Sequence, residues 1–216
     1  MTKQDSNTDT KAKLLDAALT EFVEHGYEGA STAGIAARAG VAKALVFHHY
    51  DSKETLFRAV ADRVIERARG EYAKVIAETP PDLFARTLAW SKRKLAMFRE
   101  DPREIRFMVF TQSSAPKAVR EEIRARLVEI SREDTQRLLE GVDASRLKVA
   151  PQAALEMLET MALGLEQRFY ASAANMRNTA QIDALSEKGI AMLELLAKTL
   201  YRKEPKRKGH KRRDED

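Results

Sequence analysis

From Leu14 to Leu200 the apolar residues of this 216-residue chain recur in steps of three and four, the period of one helix face. Strand-like alternation is nearly absent. That pattern commits the chain to an all-α fold of about nine helices. Leu14, Leu15, Ala18, Leu19, Phe22 and Val23 open the series, and Gly26 follows as a helix stop. Ile35, Ala36 and Ala39 form the inner face of a short second helix that Gly40 breaks. Val46 and Tyr50 form the inner face of a third. Ser52-Lys53-Glu54 starts a long fourth helix with Leu56, Val60, Val64 and Ile65 on one side. Prolines then punctuate. Pro80-Pro81 ends the fourth helix, and Asp101-Pro102 is an N-cap followed by proline at the first helical position. Pro116 and Pro151 open two more helices, and a last one carries Ile182, Leu185, Leu193, Leu196 and Leu200.

Hydrophobic residues are 44% of the chain, enough to bury a core in one or two domains. No apolar run reaches the roughly eighteen residues of a membrane span, and the polar start MTKQDSNTDTK lacks the apolar stretch of a signal peptide. There is no cysteine, which excludes disulfides, thiolate catalysis and cysteine-based zinc sites. A cytoplasmic protein is expected. The net charge of +5 is concentrated at one end: residues 202–216 hold eight Lys/Arg against four Asp/Glu. This tail reads as disordered. It is either a solvated tail or a sequence-independent, salt-sensitive contact to phosphate.

The segment Ser31–Glu54 carries the chemistry. Gly40 permits a steep turn between two helices, the small Ala36 and Ala39 permit their close approach, and Val41 plugs the corner. Val46 and Tyr50 point the third helix inward. Lys43, Ala44, Phe47 and His48 are left on or near its outer face, the part that meets base edges in helix-turn-helix proteins. Phe47 either packs against thymine methyl groups or belongs to the core. His48 and His49 are adjacent and diverge by about 100°, so hydrogen bonds to DNA suit them better than shared metal ligation. Lys53 stands at a helix start, where exposed amides favour an anion. Thr32 stands at the start of the second helix, where its hydroxyl serves a phosphate or caps the helix.

These residues resemble a known signature. Ile35-Ala36-x-x-Ala39-Gly40-Val41-x-Lys43, followed by Phe47-His48-His49-Tyr50-x-Ser52-Lys53-Glu54, is similar to the DNA-binding segment of the TetR family of bacterial transcriptional regulators. Ala17-Ala18-Leu19-x-x-Phe22-x-x-x-Gly26-Tyr27 fits that family's first helix. The resemblance covers roughly residues 11–60. It implies phosphate contacts from Thr32, His49 and Lys53, and base reading by Lys43, Ala44, Phe47 and His48. Leu45 matches a position that often holds a small hydroxyl residue contacting phosphate. Phe47 stands for a frequent Tyr, Ala44 for a frequent Gly, and Ala42 for a frequent Ser or Thr that caps the recognition helix.

Residues 1–10 are expected to be disordered, 11–53 to form the DNA-binding unit, 54–202 a ligand-binding and dimerisation unit, and 203–216 the disordered tail. The resemblance implies a small-molecule cavity in the larger unit. Trp90, Phe107, Phe110, Gln112, Met161 and Tyr170 are the candidates to line it, with Gln112 or Arg106 as a polar anchor. For any one of these side chains taken singly, a packed core is the better reading. The resemblance also implies a homodimer through the last two helices, and close helix contact would explain Gly164 inside a helical pattern. The function expected is a ligand-responsive regulator of double-stranded DNA, a repressor released from a palindromic operator by a small, mostly apolar effector. The alternative is a non-specific DNA binder using the basic tail. No Gly-rich phosphate loop, HExxH or nucleophile elbow is present, so neither an enzyme nor a cofactor protein is expected, and no metal site.

Overall fold

The computed structural model describes residues 3–173 and 179–202. Among them are nine α-helices: α1 (Lys3–Gly29), α2 (Thr32–Ala39), α3 (Lys43–His49), α4 (Lys53–Glu78), α5 (Leu83–Glu100), α6 (Pro102–Ser114), α7 (Lys117–Leu139), α8 (Pro151–Ala173) and α9 (Thr179–Leu200). A 3₁₀ turn lies at Ala144–Arg146, and one isolated bridge pairs Leu147 with Tyr201. No described helix is long and apolar enough to cross a membrane.

The helix starts follow local chemistry. Ser31, Ser52, Asp82 and Asp101 each accept a hydrogen bond from a backbone N–H in the first turn of the helix they precede. Ser31, not Thr32, therefore caps α2; Thr32 is its first residue. Gly40 closes α2 in the left-handed region, with φ 67° and ψ 32°, and its N–H returns to the carbonyl of Ala37. Ala42 precedes α3 with no side-chain cap.

Two expectations at the N-terminus need correction. Residues 3–10 are not a disordered leader: they extend α1, because no Gly or Pro interrupts 3–25 and Lys13 pairs with Asp9 one turn back at 2.5 Å. Gly26 does break the helical backbone, with φ 72° and ψ 175°, but one further turn runs to Gly29. The tail 203–216 lies outside the described residues.

The buried apolar side chains form two clusters. The first joins Leu14, Leu19 and Phe22 of α1, Ile35 of α2 and Val46 of α3 to Phe57 and Val60 of α4, Phe107 of α6 and Val119 of α7. It is continuous across residue 53, so the small three-helix head is seated on the larger bundle. Phe22, Tyr27, Phe57 and Phe107 form its aromatic centre, with Phe57 to Phe107 at 4.7 Å between ring centroids. The second cluster joins Leu83 and Phe84 of α5 to Leu155 and Leu158 of α8 and Leu193 and Leu200 of α9.

Ion pairs tie α4 along its length to its neighbours. Arg58 meets Glu122 at 2.8 Å, Arg126 pairs with both Asp62 and Glu66, and Arg69 meets Glu133 at 2.9 Å, all across to α7. Arg67 reaches Glu104 of α6 and Glu100 of α5. Arg86 is buried on α5 and donates from Nη1 to the carbonyls of Arg137, Leu138 and Glu140, satisfying the C-terminal end of α7.

Candidate nucleic-acid interface and effector cavity

The turn between α2 and α3 presents α3 outward. Val46 and Tyr50 are buried beneath it, while Lys43, Ala44, Phe47 and His48 are exposed. Phe47 keeps 46% of its surface open to solvent, so it is not a core residue. The Lys43 ammonium lies 5.9 Å from the Phe47 ring, one turn along the helix. The result is a small apolar step with a positive edge, narrow enough for a DNA groove. Leu45 is half-buried against the head and has no polar atom to offer a phosphate from its side chain.

His49 sits half-buried behind this face, its ring 5.3 Å from that of His48. Burial lowers the His49 pKa below its usual 6.5, and the nearby His48 and Lys11 lower it further. His49 is thus neutral at neutral pH, a hydrogen-bonding ring rather than a cation. The same effect places the exposed Lys11 of α1 near the interface. Sequence reasoning did not single out Lys11, although it opens the unit expected to bind DNA; the basic pair Lys11 and Lys13 was the available signal.

Lys53 has a different position from the one its place at a helix start suggests. Its Nζ turns away from the α4 amides and donates to the carbonyls of Tyr27 at 2.8 Å and Ala30 at 3.2 Å, with Glu28 at 3.5 Å. It also lies 4.6 Å from the Tyr27 ring centroid. The ammonium thereby neutralises the C-terminal carbonyls of α1 and fixes α4 to the head. Glu21 is buried between α1 and α2, and a Cβ at Gly34 would come within 2.3 Å of its carboxylate. That glycine lets α2 approach α1.

The larger bundle forms a solvent-open cavity of about 610 Å³ between α4, α5, α6, α7, α8 and α9. Trp90 and Met161 line it. Phe107 and Phe110 do not. Phe107 is buried in the head-side cluster, and Phe110 packs on the α1 backbone, where a Cβ at Gly26 would lie 3.1 Å from its ring. Their helix turns Ile105 and Met108 to the cavity instead, two positions that a nearly all-apolar segment could not distinguish by pattern. Arg106 is half-buried on α6 and is not among the lining residues. Gln112 lies in α6 and Tyr170 in α8, but their side chains fall outside those described. The polar lining includes Lys94, Asp134, Thr135, Ser186 and Glu159, which were not singled out from sequence. Tyr72, also lining, donates from its hydroxyl to the Asp134 carbonyl at 2.7 Å, and burial pushes its pKa up to about 12. Among the described residues no group of three or more His, Asp or Glu side chains could hold a metal ion.

A three-helix head that shows the outer face of its third helix, seated on a helical bundle with a cavity, is the architecture of a helix-turn-helix DNA-binding protein. The family profile described as bacterial regulatory proteins, tetR family, matches residues 14–60, so the likeness to that family lies in the three-helix head and the start of α4. Among curated relatives, an uncharacterised HTH-type transcriptional regulator of Mycobacterium bovis is 36% identical over 81 residues, 38% of this chain and 42% of that protein. The biofilm operon negative transcriptional regulator IcaR of Staphylococcus epidermidis is 30% identical over 121 residues, 56% of this chain and 63% of IcaR. The chain thus spans less than two thirds of the length of these relatives. Among solved structures, SmeT, the repressor of a Stenotrophomonas maltophilia multidrug efflux pump, matches in its triclosan complex with a TM-score of 0.69 at 22% identity, over 90% of this chain and 93% of SmeT. A TetR family transcription regulator from Marinobacter aquaeolei has a TM-score of 0.64 at 15% identity, over 93% of this chain and 100% of that one. At these identities the likeness is one of fold.

Proposed function

We propose that the chain is a homodimeric, ligand-responsive transcriptional repressor that reads a palindromic operator in the cytoplasm. Residues 11–53 act as the DNA-binding unit and 54–202 as the effector and dimerisation unit. The observation that carries this reading is the open outer face of α3, with Phe47 46% exposed beside Lys43, Ala44 and His48. Those four side chains meet base edges. Thr32 and His49 contact flanking phosphates as hydrogen-bonding groups, and Lys53 supports the interface mainly by holding α4 to α1.

Dimerisation follows from unpartnered apolar surface. Met157 of α8 and Met192 and Leu195 of α9 are exposed, Leu195 by 65%. A Cβ at Gly164 would meet nothing within 4 Å in a single chain, so only a second copy supplies the close contact that would explain this glycine. A twofold pair must hold its two α3 helices about 34–36 Å apart to enter successive major-groove faces. The regulator names of IcaR and SmeT, and the bound triclosan of the latter, agree with negative control by a small molecule. An effector in the cavity shifts α4, whose ion pairs tie it to α5, α6 and α7 and whose Lys53 ties it to the head, and changes that spacing. DNA affinity then falls by a coupling energy of about 1–3 kcal/mol.

A gel-shift titration on the DNA upstream of the gene tests the reading. Retarded complexes with a twofold protected site are expected, and deletion of residues 203–216 should weaken binding while keeping sequence preference. Loss of all binding on that deletion would favour the non-specific, tail-driven alternative; no complex on any palindromic site at low salt would refute the proposal.

A further inference from the structure

The charges around the cavity discriminate between ligand classes. Among the described residues, three ionisable groups other than tyrosine line it: Asp134, Glu159 and Lys94. The Asp134 carboxylate makes no hydrogen bond or ion pair with a described residue; only its main-chain oxygen is used, by Tyr72. Burial raises its pKa, with the Arg137 and Arg69 charges offsetting only part of that effect. Asp134 is half-buried at the cavity wall, and a cation brought beside its carboxylate restores what partial desolvation removed. Glu159 has one long contact, 3.5 Å from the Thr135 hydroxyl. Lys94 is the one basic residue of the lining among the described residues, and it is engaged, its ammonium 5.8 Å from the Trp90 ring. That contact shows that the Trp90 ring is open to positive charge. Trp90 and Tyr72 stand edge to face at 5.2 Å and offer aromatic surface to the body of a ligand.

We propose that the cavity binds an organic cation, a bulky apolar or aromatic body carrying a protonated amine or a permanently charged centre, with the charge directed to Asp134 and Glu159 and the body against Trp90 and Tyr72. An anion of the same size meets two carboxylates and a lysine that is already occupied. This inference rests on the cavity being the effector site of the proposed regulator, and it adds the sign of the effector's charge.

Trp90 is the only tryptophan in the chain, so its fluorescence reports cavity occupancy directly. Tetraphenylphosphonium and tetraphenylborate have closely similar size and shape and opposite charge. Titrated into the full-length protein, the phosphonium should quench Trp90 fluorescence saturably and the borate should not at the same concentrations. Asp134→Asn keeps the main-chain oxygen that Tyr72 uses, so it should fold normally by thermal melting and bind the phosphonium roughly tenfold more weakly. Lys94→Met should bind it more tightly. Equal quenching by the borate, phosphonium affinity unchanged in Asp134→Asn, or no quenching by either ion overturns the proposal. The same two ions added to the DNA complex separate this inference from the regulator reading. Phosphonium binding without DNA release sinks the regulator and leaves the cation site; borate binding with DNA release does the reverse.

Discussion

Replacing Gly26 by alanine tests whether the DNA-binding head is seated on the bundle by direct contact between α1 and α6. Two separate penalties apply. At φ 72° and ψ 175° the backbone is in a region essentially reserved for glycine, and any other residue held there costs about 1–3 kcal/mol. The new Cβ would also lie 3.1 and 3.2 Å from two ring atoms of Phe110. That ring packs against the first core cluster and has little room to retreat, so the overlap adds about 1–3 kcal/mol. Gly26→Ala should therefore lose about 2–6 kcal/mol in a urea titration with an unchanged slope. Phe110→Leu removes the two ring atoms concerned. In a double-mutant cycle it should recover the overlap part, a coupling of about 1 kcal/mol or more, and leave the backbone part. Gly70→Ala is the control: it is a helical position in α4 with nothing within 4 Å of the added Cβ, and it should gain about 0.5–1 kcal/mol. A Gly26→Ala loss below about 1 kcal/mol, or an identical loss in the Phe110→Leu background, would refute the close approach of α1 and α6.

Ala42→Ser gives α3 the cap it lacks and should raise stability by about 0.5–2 kcal/mol in the same titration. Phe47→Ala should leave the melting temperature nearly unchanged, because the ring is exposed, and lower specific DNA affinity by about tenfold in gel shifts. Arg86→Met leaves three carbonyls at the end of α7 without their donor and should lose at least about 2 kcal/mol. His49 has a folded pKa below the unfolded 6.5, so its contribution to stability is complete above pH 6.5 and is lost as pH falls toward the lower folded value. His49→Gln should flatten the fall in melting temperature between pH 7 and pH 5; an unchanged profile contradicts the neutral, half-buried ring.

Much of the interface was legible in residue order. A helix-turn-helix head is local: Gly40, Ala36, Val46 and Tyr50 lie within fifteen residues, and the helical period alone assigns the inner and outer faces of α3. The ends of α4, α6 and α7 were readable for the same reason, since caps and prolines act on the turn beside them. Lys53 was not readable. It stands where an anion is favoured, yet its ammonium reaches back to α1, a contact 26 residues distant in the chain. Phe107 and Phe110 were assigned to a cavity because an all-apolar helix does not state which side faces which neighbour.

The order of residues by itself decided that this chain is helical, where α2, α4, α6 and α7 start, and which side chains of one short helix remain outside, because each of these depends on steps of one to four positions. Only the tertiary structure decided that α6 gives Phe107 and Phe110 to the head and Ile105 and Met108 to the cavity, and that Asp134 and Trp90 line the same space. Those facts depend on how helices far apart in sequence rotate about their axes to bury the most apolar surface, a collective choice that no local pattern encodes.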